Sequence, residues 1–158
     1  MQVSIVMGSA SDYETVKETV KLFEDFNIGF EKQVVSAHRT PEDMVMYAKG
    51  AQERGIQVII AAAGGAAHLP GMIASLTDLP VIGIPVKSSA LDGLDSLLSI
   101  VQMPAGIPVL TVAIGAAGAK NAALGAMRIL ALNNPSLSTQ LRIYREDMAA
   151  HVRDTKLP

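Results

Sequence analysis

Two short runs near the middle of the chain restrict its architecture more than any other feature. Val58 to Ala63, VIIAAA, and Val81 to Val86, VIGIPV, contain no polar side chain. A strand with one face in water alternates polar and apolar residues, whereas an unbroken apolar strand is covered on both faces. Such strands belong to a parallel sheet with helices on each side. The competing explanation, a bilayer span of about 20 apolar residues, fails because the run from Val58 onward is cut by His68, Pro70, Asp78 and Pro80.

The flanking sequence supplies the other parts of that sheet. Val3 to Met7 is a short apolar run closed by Gly8, followed by apolar residues at helical spacing, Val16, Val20, Phe23 and Phe26. A second strand is expected over about Phe30 to Val35. The segment Thr40-Pro41-Glu42-Asp43 then opens a helix with a cap residue, a first-turn proline and acids at the positive end of the helix dipole. Helices are expected over about Pro70 to Leu76 and Leu91 to Val101. A fifth strand is expected over Pro108 to Ile114, and a small-residue helix from Ala116 to Leu132. Five strands alternating with helices predict an α/β three-layer sandwich, a flavodoxin-like (Rossmann-like) parallel sheet of order 2-1-3-4-5. The whole chain, 1–158, is expected to form one domain. Its last helix begins at about Ser136 and carries Leu137, Leu141, Tyr144, Met148 and Val152 at helical spacing.

Charge is scarce where these strands lie. Charged residues make up 18% of the chain, against roughly 25% in an average soluble domain. Between Gly55 and Asn134 they are only Asp78, Lys87, Asp92, Asp95, Lys120 and Arg128. Because a monomer rarely exposes large apolar patches, this deficit predicts burial against further copies of the chain, a homo-oligomer. A net charge of −2 provides no field for nucleic acid. Without cysteine there is no thiol nucleophile, disulfide framework or thiolate metal site, which agrees with a reducing compartment. The N-terminal MQVSIVMGSASD lacks the basic and long apolar regions of a signal peptide, so a cytoplasmic location is the expectation.

Ligands of open parallel sheets bind beyond the carboxyl ends of the strands. The residues that neither packing nor capping explains collect at those turns: GSASD, SAHRT, GGAAHLPG, KSSALDG and GAAGAKN. In the first, Ser11 and Glu14 have the spacing of a capping box. The same turn also suits a phosphate, received by Ser9, Ser11 and backbone amides at a helix N-terminus. Asp12 would repel that phosphate unless it serves something else, such as sugar hydroxyls. In the second turn Thr40 is explained by capping, but Ser36, His38 and Arg39 are not. Arg39 has the planar fork that matches phosphate and lies on the turn beside Ser9 and Ser11. In the third, Gly64 and Gly65 permit tight packing of the next helix, and His68 follows just beyond them. Two imidazoles and a guanidinium are therefore expected over one cleft.

Other chemistries lack their parts. Gly115 to Asn121, GAAGAKN, has neither the glycine spacing of a nucleotide-triphosphate loop nor a Ser or Thr after its lysine. The first turn has one glycine where dinucleotide folds carry three. The histidines do not have metal-ligand spacing, and with aromatics at 4% of the chain there is little to stack on a flavin. No cofactor and no metal are expected.

MGSASD, VVSAHRTP, AAGGAAHLPG, SSALDGLDSLLSIVQMPAGIPV and AIGAAGAKNAAL, in this order, resemble class I N5-carboxyaminoimidazole ribonucleotide mutase of bacterial purine synthesis. The resemblance spans roughly Val3 to Leu132. It implies a cofactor-free isomerase that moves a carboxylate from the exocyclic nitrogen of an aminoimidazole ribonucleotide to ring carbon C4, and a homo-octamer with active sites at subunit contacts. It also implies that His38 is the acid/base residue. Ser9, Asp12 and Arg39 would then hold the substrate, with Ser11 and Ser36 near the phosphoribosyl group and Gly64, Gly65, His68 and Leu69 lining the same pocket. The chain departs from the expected pattern at Ala62, Tyr13 and Lys87, the last standing where an uncharged residue is expected. Two other readings stay open at this point. One is a sister enzyme that carboxylates aminoimidazole ribonucleotide with free carbon dioxide, against which the HRTP and HLPG motifs weigh. The other is a non-catalytic sensor of a phosphorylated metabolite, which would have no use for His38.

Overall fold

The computed structural model describes residues 1–157. The strands are β1 (Val3–Met7), β2 (Phe30–Val34), β3 (Val58–Gly64), β4 (Val81–Val86) and β5 (Leu110–Thr111). The helices are α1 (Tyr13–Asp25), α2 (Pro41–Gly50), α3 (Leu69–Ala74), α4 (Leu94–Val101), α5 (Ala116–Ala131) and α6 (Pro135–Asp154). All five strands are parallel, in the order β2-β1-β3-β4-β5 expected from the sequence.

Both apolar runs are buried from end to end apart from Gly64, and each face of the sheet has its own core. One face packs Val3, Ile5, Ile60, Ile82 and Ile84 against Val16, Val20 and Phe23 of α1 and Ala119, Ala122, Ala123, Ala126 and Met127 of α5. The other packs Val6, Ile59, Ala61 and Val81 against Met44, Tyr47 and Ala48 of α2, Ile73 of α3 and Ile100 of α4. Small residues on α5 let it lie close to its neighbours: a Cβ at Gly118 would run into the Ala113 carbonyl. Thr19 of α1 donates to the Ala119 carbonyl at 2.7 Å, so the α1–α5 contact also carries a buried, satisfied polar group. No helix among the described residues is long and apolar enough to cross a membrane.

Several boundaries differ from the sequence reading. The fifth strand keeps only Leu110 and Thr111 of the expected Pro108 to Ile114, the two residues that pair with β4. Helix α4 starts at Leu94 rather than Leu91, since Asp92 and Gly93 have positive φ, 54° and 96°, which no helix accommodates. Thr40 occupies the N-cap position of α2, yet its hydroxyl donates back to the Ser36 carbonyl at 3.2 Å instead of capping the helix. Of the apolar positions on α6 only Leu137 is buried. Leu141 and Tyr144 pack partly on the α1–α5 core, while Met148 and Val152 are exposed.

One polar network runs from the second core to the surface. Tyr47 donates to the Ser4 hydroxyl at 2.8 Å, and Ser4 donates to the Glu31 carboxylate at 2.8 Å, which also accepts from Arg54 at 3.1 Å. Burial pushes the Tyr47 phenol up to about 12, because phenolate would lose its hydration there; the Ser4 hydrogen bond pulls in the other direction. A phenol whose folded pKa exceeds its unfolded value of about 10 contributes stability that is complete below pH 10 and is lost as pH rises through its folded value. Tyr47→Phe is therefore expected to cost about 1 kcal/mol at neutral pH and to narrow its deficit against the parent protein between pH 10 and 12. Denaturant unfolding at a series of pH values measures both effects.

Candidate active site

The parallel register brings the strand ends to one rim. Met7, the last residue of β1, pairs with Val34, the last of β2, and with Ala62 of β3, while Gly64 at the end of β3 pairs with Val86 at the end of β4. A cavity of about 380 Å³ opens along that rim. Every site residue expected from the sequence lines it: Ser9, Ser11 and Asp12 from the first turn, Ser36, His38 and Arg39 from the second, and Gly64, Gly65, His68 and Leu69 from the third.

The first turn is a capping box, but not the one its spacing suggested. The box is Ser9 with Asp12, closing a 3₁₀ turn, Ala10–Asp12, that leads into α1; Ser11 and Glu14 play no such part. The Ser9 N–H donates to the Asp12 carboxylate at 3.0 Å, and Ser9 Oγ accepts from Ser11 Oγ at 3.0 Å and, at a longer 3.4 Å, from Ser11 N–H. The sequence missed this because a 3₁₀ turn advances the cap by two residues relative to a helix that starts directly. Asp12 thus has a structural task, and its carboxylate is nearly buried beside the pocket. Burial raises its pKa, against the opposing pull of the Ser9 amide, the Arg39 charge and the Gly8 amide.

Arg39 ties the second turn to the first. Its Nη2 donates to the Gly8 carbonyl at 2.9 Å and its Nε to Ser36 Oγ at 3.2 Å. Ser36 Oγ also accepts the Arg39 amide at 3.2 Å. The guanidinium, fixed by these bonds, lines the same cavity as the Ser9 and Ser11 hydroxyls, a combination suited to a phosphate.

His38 lies on the same turn and meets His68 from the third. His38 Nε2 is 2.8 Å from His68 Nδ1, and the rings stand edge to face with centroids 5.0 Å apart. At that separation one nitrogen donates and the other accepts, so each ring sets the tautomer of its neighbour. Of the two glycines before His68, Gly65 is required by its backbone conformation, and tight packing demands neither. Gly65 has a φ of 68°, and a Cβ at Gly64 would meet Val86 only at an ordinary 3.6 Å.

Lys87, Ser88 and Ser89, from the turn after β4, complete the lining. The position of KSSALDG after the fourth strand already sets it on this rim, but none of its residues is among the expected site residues. Helix α4 braces this side. Buried Ser96 donates to the Val86 carbonyl at 2.7 Å and accepts the Gly65 amide at 2.9 Å, while Ser88 donates to Asp95 at 2.6 Å.

A cavity with this lining offers an anion cradle at one end and a hydrogen-bonded imidazole pair beside it. The protein-family model described as AIR carboxylase matches residues 2–151. The chain is 59% identical to the N5-carboxyaminoimidazole ribonucleotide mutase of Saccharolobus solfataricus, covering 99% of this chain and 98% of that one. To the mutase of the same name from Bacillus subtilis it is also 59% identical, over 92% and 90% of the two chains. Among solved structures, Treponema denticola PurE superimposes with a TM-score of 0.87 at 28% identity, covering 97% of this chain and 94% of that one.

Asp12→Asn keeps an oxygen to accept the Ser9 amide, whereas Asp12→Ala removes it. The alanine variant is expected to lose about 1 kcal/mol of stability and the asparagine variant to match or exceed the parent at neutral pH. Since the folded-state pKa of Asp12 is raised, the parent should gain on Asp12→Asn as pH falls through that value toward the unfolded carboxylate range. Thermal unfolding of the three proteins from pH 7 to pH 4 measures this.

Proposed function

The chain belongs to the AIR carboxylase family, and from that premise we propose how its cavity performs the reaction of the mutases it resembles. The activity is the conversion of N5-carboxyaminoimidazole ribonucleotide to 4-carboxy-5-aminoimidazole ribonucleotide in purine biosynthesis. The observation that carries the mechanism is the 2.8 Å contact between His38 and His68 in a cavity that also holds Ser9, Ser11 and Arg39.

The substrate's phosphate takes the end of the cavity formed by Ser9, Ser11 and Arg39, where hydroxyls and a fixed guanidinium converge near the start of α1. Asp12 faces the ribose hydroxyls, with Ser36 alongside. Gly64, Gly65 and Leu69 form the wall against the aminoimidazole. His38 protonates the carbamate nitrogen, the N–C bond breaks, and carbon dioxide is released inside the pocket. The electron-rich C4 attacks it, forming the C–C bond, and His38 removes the C4 proton to restore aromaticity. One proton is given and one is taken, so the step is balanced without a cofactor. His68 orients His38 through the shared hydrogen bond. Such proton transfer contributes about 10²–10⁴-fold; holding the phosphate and excluding water supply the rest.

The working unit is a homo-octamer in the cytoplasm. Supporting the assembly are Leu91, Leu94, Leu98, Val101 and Leu110, all about half exposed on the isolated chain, where a monomer would seldom leave so many large apolar groups in water. Sedimentation velocity of the purified protein tests it, a monomer being the adverse result.

His38→Asn should bind 4-carboxy-5-aminoimidazole ribonucleotide within about threefold of the parent while losing at least roughly 10²-fold in kcat. Calorimetric titration with steady-state assays of both proteins measures the two effects, and near-normal turnover in the variant would refute the role given to His38. The same assays with aminoimidazole ribonucleotide and bicarbonate distinguish the mutase from direct carboxylation.

A further inference from the structure

Two basic side chains line the cavity, Arg39 and Lys87, and the mechanism above uses only the first. Arg39 is committed to the first two turns through Gly8 and Ser36. Lys87 is committed to nothing. The ion pairs among the described residues are Lys17 with Glu14, Arg54 with Glu31, Lys120 with Glu18 and Arg142 with Glu146, and Lys87 is in none of them. Asp95, the acid on the neighbouring helix turn, accepts from Ser88 instead.

The backbone that carries Lys87 is held on both sides. Before it, the Val86 carbonyl accepts from buried Ser96 at 2.7 Å; after it, Ser88 donates to Asp95 at 2.6 Å and accepts the Gly93 amide at 3.2 Å. The pairing of Gly64 with Val86 makes Lys87 leave its strand beside Gly65, on the β3 side of the rim. A strand spacing of about 4.8 Å, taken twice from β1 to β4, sets this turn roughly 10 Å from the turn holding Ser9 and Ser11. His38 and His68 come from the turns of β2 and β3, so the third turn, with His68, lies between Lys87 and the phosphate cradle.

The substrate of the proposed reaction is anionic at two ends: the phosphate, and the carboxylate that moves. We propose that Lys87 is a specificity-determining residue that binds this carboxylate, at the end of the cavity away from Arg39. The assignment rests on the mutase reading of the site. An ammonium ion stabilises the carboxylate on the carbamate nitrogen and on C4 alike, but gains nothing from neutral carbon dioxide between them. Lys87 therefore contributes to holding substrate and product more than to the bond-breaking step, and it selects carboxylated ligands over aminoimidazole ribonucleotide itself.

The test compares two ligands that differ only in the carboxylate. Affinities for 4-carboxy-5-aminoimidazole ribonucleotide and for aminoimidazole ribonucleotide are measured on the parent protein, Lys87→Gln and Lys87→Arg, alongside steady-state kinetics with the carbamate substrate. Lys87→Gln should weaken the carboxylated ligand by about tenfold and the uncarboxylated one by less than about twofold. It should raise KM while leaving kcat unchanged or higher, and Lys87→Arg should restore most of the selectivity. Equal weakening of both ligands, or no change in either, overturns the assignment. A parent protein that fails to turn over the carbamate at all sinks the mutase reading and this proposal with it, whereas an active parent with unselective variants sinks only the role of Lys87.

Discussion

Parallel register is the constraint on which everything else depends. Because β1, β2, β3 and β4 run in one direction and end within about two residues of one another, all their crossover turns open on the same side. Residues 30 apart in sequence, His38 and His68, reach 2.8 Å there. An antiparallel sheet made from the same strands would send alternate turns to opposite ends and disperse the site. Burial alone does not set that register. With both faces of β3 and β4 covered, a slip by one residue would still bury apolar groups, so the pairing needs its crossover helices to hold it.

Polar groups near the rim build it as well as line the cavity. Asp12 closes the Ser9 turn, Arg39 links two turns, and Ser96 joins the ends of β3 and β4 through Gly65 and Val86. No buried side-chain nitrogen or oxygen among the described residues lacks a partner, so the rim does not carry the penalty of stranded polar groups. This is why a site made almost wholly of turns keeps its shape: Arg39 ties the first turn to the second, His38 and His68 join the second to the third, Ser96 of α4 holds the third to the end of β4, and the central strands beneath are buried on both faces. The imidazole pair lies on that frame, accessible from the cavity, with its tautomers coupled.

Much of this was legible from local pattern. The apolar runs VIIAAA and VIGIPV announced a covered parallel sheet, and the strand order followed from their alternation with helices. All ten expected site residues line one cavity because the rule placing ligands at strand ends operates on topology, which repeating patterns reveal. The misses have local causes too. α4 started late because Asp92 and Gly93 turn left-handed, and the cap moved from Ser11 to Ser9 because a 3₁₀ turn intervenes.

What the sequence determined by itself was therefore the set of elements, their order in the sheet and the identity of the chemical groups at its rim, since apolar periodicity and turn chemistry are local properties. Only the tertiary structure decided which groups touch: that His38 meets His68, that Asp12 serves Ser9, and that Lys87 remains unpaired beside Gly65. Contacts between residues far apart in sequence depend on strand register and turn geometry to within an ångström or so, and periodicity does not carry that precision.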